Sequence, residues 1–162
     1  IRGDVLIQQG IYEPLLKRLG EAFGRLKVGS ATMNLDLGPL IRASQLERVT
    51  GFLDQARADG IEVVAQGQIA AGVPAGGFYQ APTLLRDVPV MHRLAQEEVF
   101  GPVLSAMSFT DEDHAIELAG QAHNAFDLET QQRETLGEFF RGPVEVHIIA
   151  EPVEGHFHGQ KR

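Results

Sequence analysis

Short runs of β-branched residues alternate with longer amphipathic stretches along most of the chain. Residues 5–7 form one such run and predict a buried strand. The stretch that follows has a single apolar stripe, which consists of Leu15, Leu16, Leu19, Ala22, Phe23 and Leu26. Because these positions recur at spacings of one, three and four, they predict a helix with Pro14 in its first turn and Gly29 at its end.

A second apolar stripe predicts a helix that begins near Ser44. Ser44 and Glu47 have the spacing of a capping box, in which the serine caps the third amide and the glutamate reaches back to the serine amide. The stripe consists of Leu46, Val49, Phe52, Leu53 and Ala56. Gly60 is expected to end this helix, because glycine readily takes the left-handed conformation that follows helix C-termini.

Three further strands are predicted at residues 61–64, 78–85 and 103–109. Pro82 favours an edge or bulge position for the second of them, since proline has no amide hydrogen for a strand ladder. Thr110 is expected to cap a helix whose first turn carries carboxylates beside the positive end of the helix dipole. Strands that alternate with helices predict an α/β fold in which helices cover a sheet.

Composition and charge narrow the classes of function. A net charge of -8 with 14 scattered basic residues disfavours nucleic acid or an anionic membrane as a partner. No apolar run approaches the length of a membrane span, and no signal-peptide pattern is present, so a soluble cytoplasmic protein is expected. The sequence has no cysteine, which excludes thiol nucleophiles, disulfides and thiolate metal sites within these residues.

The strongest candidate site is the run of residues 96–102, in which two glutamates precede an aromatic residue, a glycine and a proline. Glu97 and Glu98 point to opposite sides of an extended backbone, so one can face solvent while the other faces a ligand. A carboxylate accepts hydrogen bonds from sugar hydroxyls, and the Phe100 ring suits a flat heterocycle. Gly101 permits a close backbone approach or an unusual dihedral angle. Solvated surface carboxylates before a turn are the simpler interpretation of this run taken alone.

Three flanking segments favour a site over a solvated surface. Together with the central run, in this order, they resemble the aldehyde dehydrogenase superfamily, specifically the part of its catalytic domain that follows the catalytic cysteine. The matching segments are residues 38–41, 77–84, 97–103 and 109–115. The resemblance covers about residues 1–119 and implies a partial doubly wound sheet covered by helices. Residues 120–162 do not match the family pattern and stay unassigned.

Members of this superfamily oxidise an aldehyde to a carboxylic acid through a cysteine thiolate, with NAD or NADP as the hydride acceptor. By position that cysteine should lie a few residues before Ile1, so no catalytic residue is assigned within this chain. The resemblance implies that Glu98 holds the hydroxyls of the nicotinamide ribose and that Phe100 packs near the nicotinamide. It also implies an aldehyde substrate, a homo-oligomer and activity only in a full-length context. The alternative is a non-catalytic remnant or fusion product with a scaffolding or interaction role.

Other patterns carry less weight. The glycines of residues 67–77 lack the Gly-Lys-Ser/Thr ending of a phosphate-binding loop. His156 and His158 would lie on one side of an extended segment and could chelate a metal ion, but a polar, glycine-flanked tail is the simpler interpretation, and no metal site is predicted. In the unassigned region, residues 129–140 predict a helix and residues 144–148 predict a strand.

Overall fold

A five-stranded sheet lies at the centre of the computed structural model, which describes residues 3–122 and the strand at residues 146–149. Its strands are β1 (Asp4–Gln8), β3 (Val63–Gln66), β5 (Thr83–Leu85), β6 (Val103–Phe109) and β7 (Val146–Ile149). The spatial order is β3-β5-β6-β1-β7. β5, β6 and β1 are parallel neighbours, whereas β3 and β7 pair antiparallel at the two edges.

Within the described residues, four α-helices surround this sheet: α1 (Tyr12–Arg25), α2 (Ala43–Ala58), α3 (Arg93–Gln96) and α4 (Glu112–Gln121). A small parallel pair of strands, β2 (Lys27–Val28) and β4 (Gln68–Ile69), lies apart from the main sheet. Among the described residues, no helix has the length and apolar character needed to cross a membrane.

The hydrophobic core is divided into two clusters by the sheet. The cluster that includes α1 consists of Val5, Ile7, Tyr12, Leu16, Leu84 and Ala106. The cluster that includes α2, α3 and α4 is larger, and its members include Leu6, Val49, Phe52, Leu85, Leu94, Met107, Phe109 and Leu118. Adjacent strand residues such as Leu6 and Ile7 fall into different clusters because successive strand side chains point to opposite faces. Helices therefore cover both faces of the sheet, and the predicted α/β class with a partial doubly wound sheet is confirmed.

Two helix boundaries differ from the sequence predictions. α1 ends at Arg25 and not at Gly29, because Leu26 is already extended and the next residues pair with β4. The capping box at Ser44 is wrong: Arg42 is the N-cap of α2, no side chain caps it, and Ser44 lies inside the first turn. The predicted stop at Gly60 is confirmed, since Gly60 follows the helix with a φ of 78°.

The predicted strands are present, but two of them differ from the predictions in length or in their position in the sheet. The strand expected at residues 78–85 covers only Thr83–Leu85, and it lies inside the sheet, with Pro82 just before it. β3 begins at Val63, two residues later than predicted, and runs antiparallel to β5 at the edge of the sheet. Local sequence patterns do not specify which two strands pair in a sheet, or whether they run parallel or antiparallel.

The cap of α4 lies one residue later than predicted. Asp111, not Thr110, is the N-cap, and its carboxylate accepts a hydrogen bond from the His114 amide at 3.0 Å. Thr110 instead donates its hydroxyl hydrogen to Asp111 at 2.9 Å. The bond from the His114 amide, followed by that from Thr110, lowers the pKa of Asp111. A carboxylate is therefore held in its ionised form at the positive end of α4.

In the unassigned C-terminal region, the strand predicted at residues 144–148 is found at Val146–Ile149, antiparallel to β1. The helix predicted at residues 129–140 lies outside the described residues. The same holds for His156 and His158.

A buried tyrosine links α1 to the sheet. Tyr12 is only 5% exposed, its hydroxyl accepts a hydrogen bond from the Asp87 amide at 2.9 Å, and it donates to the Ala106 carbonyl at 3.4 Å. The Arg86 guanidinium lies 5.6 Å from the centre of the tyrosine ring. Burial, more than any of these neighbours, raises the pKa of Tyr12 to about 12 from its usual value of 10.0.

The raised pKa of Tyr12 predicts a loss of stability at high pH. Below pH 10 the hydroxyl is neutral in both folded and unfolded chains, and its contribution is fully present. Between pH 10 and about 12 only the unfolded chain ionises, so the free energy of unfolding should fall. In Tyr12→Phe this component of the pH dependence should vanish, and stability near neutral pH should drop by about 1 kcal/mol through the lost hydrogen bonds. Urea unfolding of both proteins across this range is the measurement, and an equal pH slope in the two would contradict the assignment.

Candidate functional site

The candidate site is the motif loop, defined as residues 97–102, which connects α3 to β6. α3 is anchored by His92, whose Nδ1 accepts a hydrogen bond from the Leu94 amide at 3.1 Å. The other ring nitrogen, Nε2, then carries the hydrogen and donates it to Asp59 at 3.1 Å. The Gln55 amide, followed by the His92 ring, lowers the pKa of Asp59. The start of the short helix is thereby tied to the C-terminal end of α2.

The first glutamate of the motif loop connects α2 to α3. Glu97 is exposed, and its carboxylate lies 3.3 Å from the guanidinium groups of both Arg48 and Arg93. These two groups also lie over the Phe52 ring, with 4.9 Å and 4.1 Å between the guanidinium carbon and the ring centre. Glu97 therefore forms surface ion pairs whose partners rest on a buried aromatic side chain.

The second glutamate and the aromatic residue are presented differently. Glu98 is half-buried, and its backbone carbonyl accepts a hydrogen bond from Arg48 at 2.8 Å. Phe100 is 52% exposed and has a left-handed φ of 54°, which is uncommon for a residue with a side chain. The sequence left two roles open for Gly101, a close backbone approach or an unusual dihedral angle. The unusual φ falls on Phe100 instead.

Gly101 provides the close approach. A Cβ atom at this position would lie 2.5 Å from Val49 of α2, a residue that is fully buried. The motif loop therefore rests directly on α2, and the contact needs a residue without a side chain.

Gly101→Ala should destabilise the chain by about 1–3 kcal/mol, because the added methyl group overpacks against Val49. Gly51→Ala in α2 is the matched control, since a Cβ there meets no atom within 4 Å. That control should stabilise the helix by about 0.5–1 kcal/mol. Thermal or urea unfolding of both variants distinguishes the two effects, and a neutral Gly101→Ala would mean that the loop does not rest on α2.

An apolar groove of about 480 Å³ lies beside the motif loop. Its walls include Phe23, Leu26, Leu37, Leu40, Pro82 and Val103, together with Gly101 and Pro102 of the motif loop. The Leu40 amide donates to the Phe78 carbonyl at 2.7 Å and joins two of the matching segments at this groove. Among the described residues, no three His, Asp or Glu side chains are grouped closely enough to hold a metal ion. The available chemistry is a carboxylate acceptor, an exposed ring and an apolar wall.

Sequence reasoning placed Glu98 and Phe100 on one loop but missed the residues that support it. Gln45, Arg48 and His92 hold the loop or the helix before it, and no sequence pattern singled them out. Both Gln45 and Arg48 are far along the chain from the carbonyls they contact. Gln45 is 54 residues from Val99, and Arg48 is 50 residues from Glu98. Such contacts depend on how α2 packs, which a local pattern does not specify.

Comparisons with known proteins identify the family of this chain. The profile of the aldehyde dehydrogenase family matches residues 3–127. Betaine aldehyde dehydrogenase from Cereibacter sphaeroides is 33% identical over 165 aligned positions, which cover 97% of this chain and 34% of that protein. The chain therefore belongs to the aldehyde dehydrogenase family. The family match continues past residue 119, and the division of the chain at that residue stays a prediction.

Solved structures show the same fold. A Burkholderia cenocepacia protein assigned to the aldehyde dehydrogenases superposes with a TM-score of 0.75 and 49% identity, covering 86% of this chain and 30% of its own. Betaine aldehyde dehydrogenase from Staphylococcus aureus, solved in complex with NAD+, has a TM-score of 0.70 at 23% identity, covering 85% of this chain and 29% of its own. The chain spans about a third of the length of the curated relative with which it shares 33% identity.

Proposed function

We propose that this chain forms one wall of the cofactor site of an NAD- or NADP-dependent aldehyde dehydrogenase that oxidises an aldehyde to a carboxylic acid. The observation that carries the proposal is the motif loop, which presents a half-buried carboxylate at Glu98 and an exposed ring at Phe100, while its last two residues, Gly101 and Pro102, line an apolar groove. Membership of the family and the NAD+ complex of the Staphylococcus aureus relative support it. Since the chain spans a third of a full-length relative, the activity belongs to the longer protein.

Within that site, Glu98 accepts hydrogen bonds from the hydroxyls of the nicotinamide ribose, and Phe100 packs near the nicotinamide. The bound dinucleotide supplies a hydride acceptor. A carboxylate is acceptor-only and suits a pair of hydroxyl donors, while a ring held on a supported loop restricts where a flat heterocycle can lie. Both residues therefore orient the cofactor and take no part in bond making.

A homo-oligomer and a cytoplasmic location complete the proposal. Val63 on the edge strand β3 is 43% exposed, and Ile69 on β4 is 45% exposed. Apolar side chains at exposed strand edges favour association with another surface.

A non-catalytic scaffolding role is the second candidate. It is favoured by the absence of cysteine from the 162 residues, because the reaction of the family passes through a thiolate. The two candidates differ in whether the motif loop still supports catalysis when the remaining segments are supplied.

The test is a graft enzyme, in which residues 3–122 replace the matching segment of the Burkholderia cenocepacia protein. We expect NADH or NADPH formation from an aldehyde at a rate comparable to that of the parent enzyme. A graft enzyme without its catalytic cysteine is the negative control. A graft that folds and assembles like the parent but produces no reduced cofactor would favour the scaffolding role.

A further inference from the structure

Three consecutive backbone carbonyls of the motif loop are held by two side chains of α2. The Glu98 carbonyl accepts a hydrogen bond from Arg48 Nη2 at 2.8 Å. The Gln45 amide nitrogen, Nε2, donates to the Val99 carbonyl at 3.0 Å and to the Phe100 carbonyl at 2.8 Å. Each of the three peptide planes that follow these residues is therefore oriented by a donor on the same helix.

The loop conformation needs this support. Phe100 takes a left-handed φ of 54°, a conformation that costs free energy in any residue with a Cβ and persists only where the surroundings impose it. Gly101 brings the backbone onto Val49, which lies one helical turn after Gln45 and next to Arg48. Side chains at positions 45, 48 and 49 share one face of α2, because residues three and four apart are neighbours on a helix.

Arg48 and Gln45 differ in how specific their contacts are. The Arg48 guanidinium also pairs with Glu97 and lies over Phe52, so its removal disturbs several contacts at once. The Gln45 side-chain nitrogen Nε2 donates both of its hydrogen bonds to the loop. A substitution of Gln45 therefore tests the contact with the loop more specifically than a substitution of Arg48.

We infer that Gln45 and Arg48 are positioning residues, which orient Glu98 and Phe100 through the backbone carbonyls of the motif loop; their effect on catalysis rests on the proposed function. Neither needs to touch the substrate. The Gln45 amide fixes the peptide on each side of Phe100 and so determines where the ring points. Arg48 fixes the peptide that follows Glu98 and restrains the direction of the carboxylate.

The structural part of this inference is tested on the 162-residue chain itself. Val99-Phe100 is the one Val-Phe step in the sequence, so carbon-13 at valine carbonyls with nitrogen-15 at phenylalanine gives a single NMR signal for the peptide that Gln45 contacts. Gln45→Met should shift that signal upfield, because the carbonyl loses its donor. Gln45→Asn is the second variant, for the case in which Gln45→Met disturbs folding. Its side-chain amide is one methylene shorter and cannot reach the carbonyl, so it should give a similar upfield shift. Glu47→Gln, on the same helix and exposed, is the control and should leave the signal in place. An unchanged signal in both Gln45 variants would overturn the inference.

The functional part is tested in the graft enzyme. Gln45→Met should raise the dissociation constant for the cofactor roughly tenfold and slow the single-turnover hydride step, with the KM for the aldehyde unchanged. Arg48→Met should behave in the same way, and Arg48→Lys, which keeps a cationic hydrogen-bond donor, should recover most of the loss. Wild-type cofactor affinity in Gln45→Met would overturn the positioning role. Glu98→Gln, measured alongside, separates the two claims: if Glu98→Gln weakens binding and Gln45→Met does not, the inference fails alone, and if neither does, the proposed function fails.

Discussion

Purified by itself, the 162-residue chain should produce no NADH from NAD and an aldehyde. It contains no cysteine, so no thiolate can attack the aldehyde and form the covalent intermediate on which the family depends. Removal of a covalent nucleophile reduces turnover by on the order of a million-fold in well-studied enzymes. The loss is therefore expected to be complete at the sensitivity of an absorbance assay.

The assay compares the chain with the graft enzyme, using several aldehydes, both NAD and NADP, and equal protein concentrations. The graft enzyme shows that the conditions support turnover. Reduced cofactor formed by the chain above the protein-free blank would mean that another group in it acts as the nucleophile, and the assignment of the reaction to a missing cysteine would have to be abandoned.

Glu98→Gln in the graft enzyme should weaken cofactor binding by roughly 10- to 150-fold. The substitution keeps the size of the side chain but removes its charge, and a charge-assisted hydrogen bond is worth about 1.5–3 kcal/mol. A loosened nicotinamide also spends less time aligned with the substrate, so the hydride step should slow as well. The cofactor dissociation constant and the single-turnover hydride rate are the two measurements.

Two comparison variants sharpen this experiment. Glu97→Gln should change cofactor affinity by less than about fivefold, because its partners are Arg48 and Arg93 at the surface, and exposed ion pairs contribute little. Phe100→Ala should weaken binding less sharply than Glu98→Gln, since it removes a packing surface and no charge. If Glu97 were the sensitive position and Glu98 the silent one, the roles of the two carboxylates would be inverted.

The elements that the sequence predicted well are those in which a local pattern determines burial. The continuous apolar run at residues 5–7 predicts β1, and the structure places Leu6 and Ile7 in opposite core clusters. The apolar stripe after Pro14 predicts α1, and Gly60 marks the C-terminal end of α2. Each depends on the period of hydrophobic residues or on the conformational freedom of one glycine, both of which are properties of a short segment.

The candidate site was predicted only in part for the same reason. The run of residues 97–102 indicates carboxylate and ring chemistry, because residue types and their neighbours are local properties. The four-residue α3 escaped prediction, since one helical turn carries almost no periodicity and is held by contacts such as that of His92 with Asp59.

By itself, the sequence determined the alternation of strands and helices, the positions of the longer elements, and which residue types the motif loop offers. Only the tertiary structure decided that β3 runs antiparallel to β5, that the left-handed conformation falls on Phe100 and not on Gly101, and that Gln45 and Arg48 hold the loop. The physical reason is the separation along the chain. A period of two or 3.6 residues reports the face that a segment buries, whereas strand pairing and side-chain to carbonyl bonds join positions about 20 to 100 residues apart. Their formation depends on where the whole chain brings those positions together.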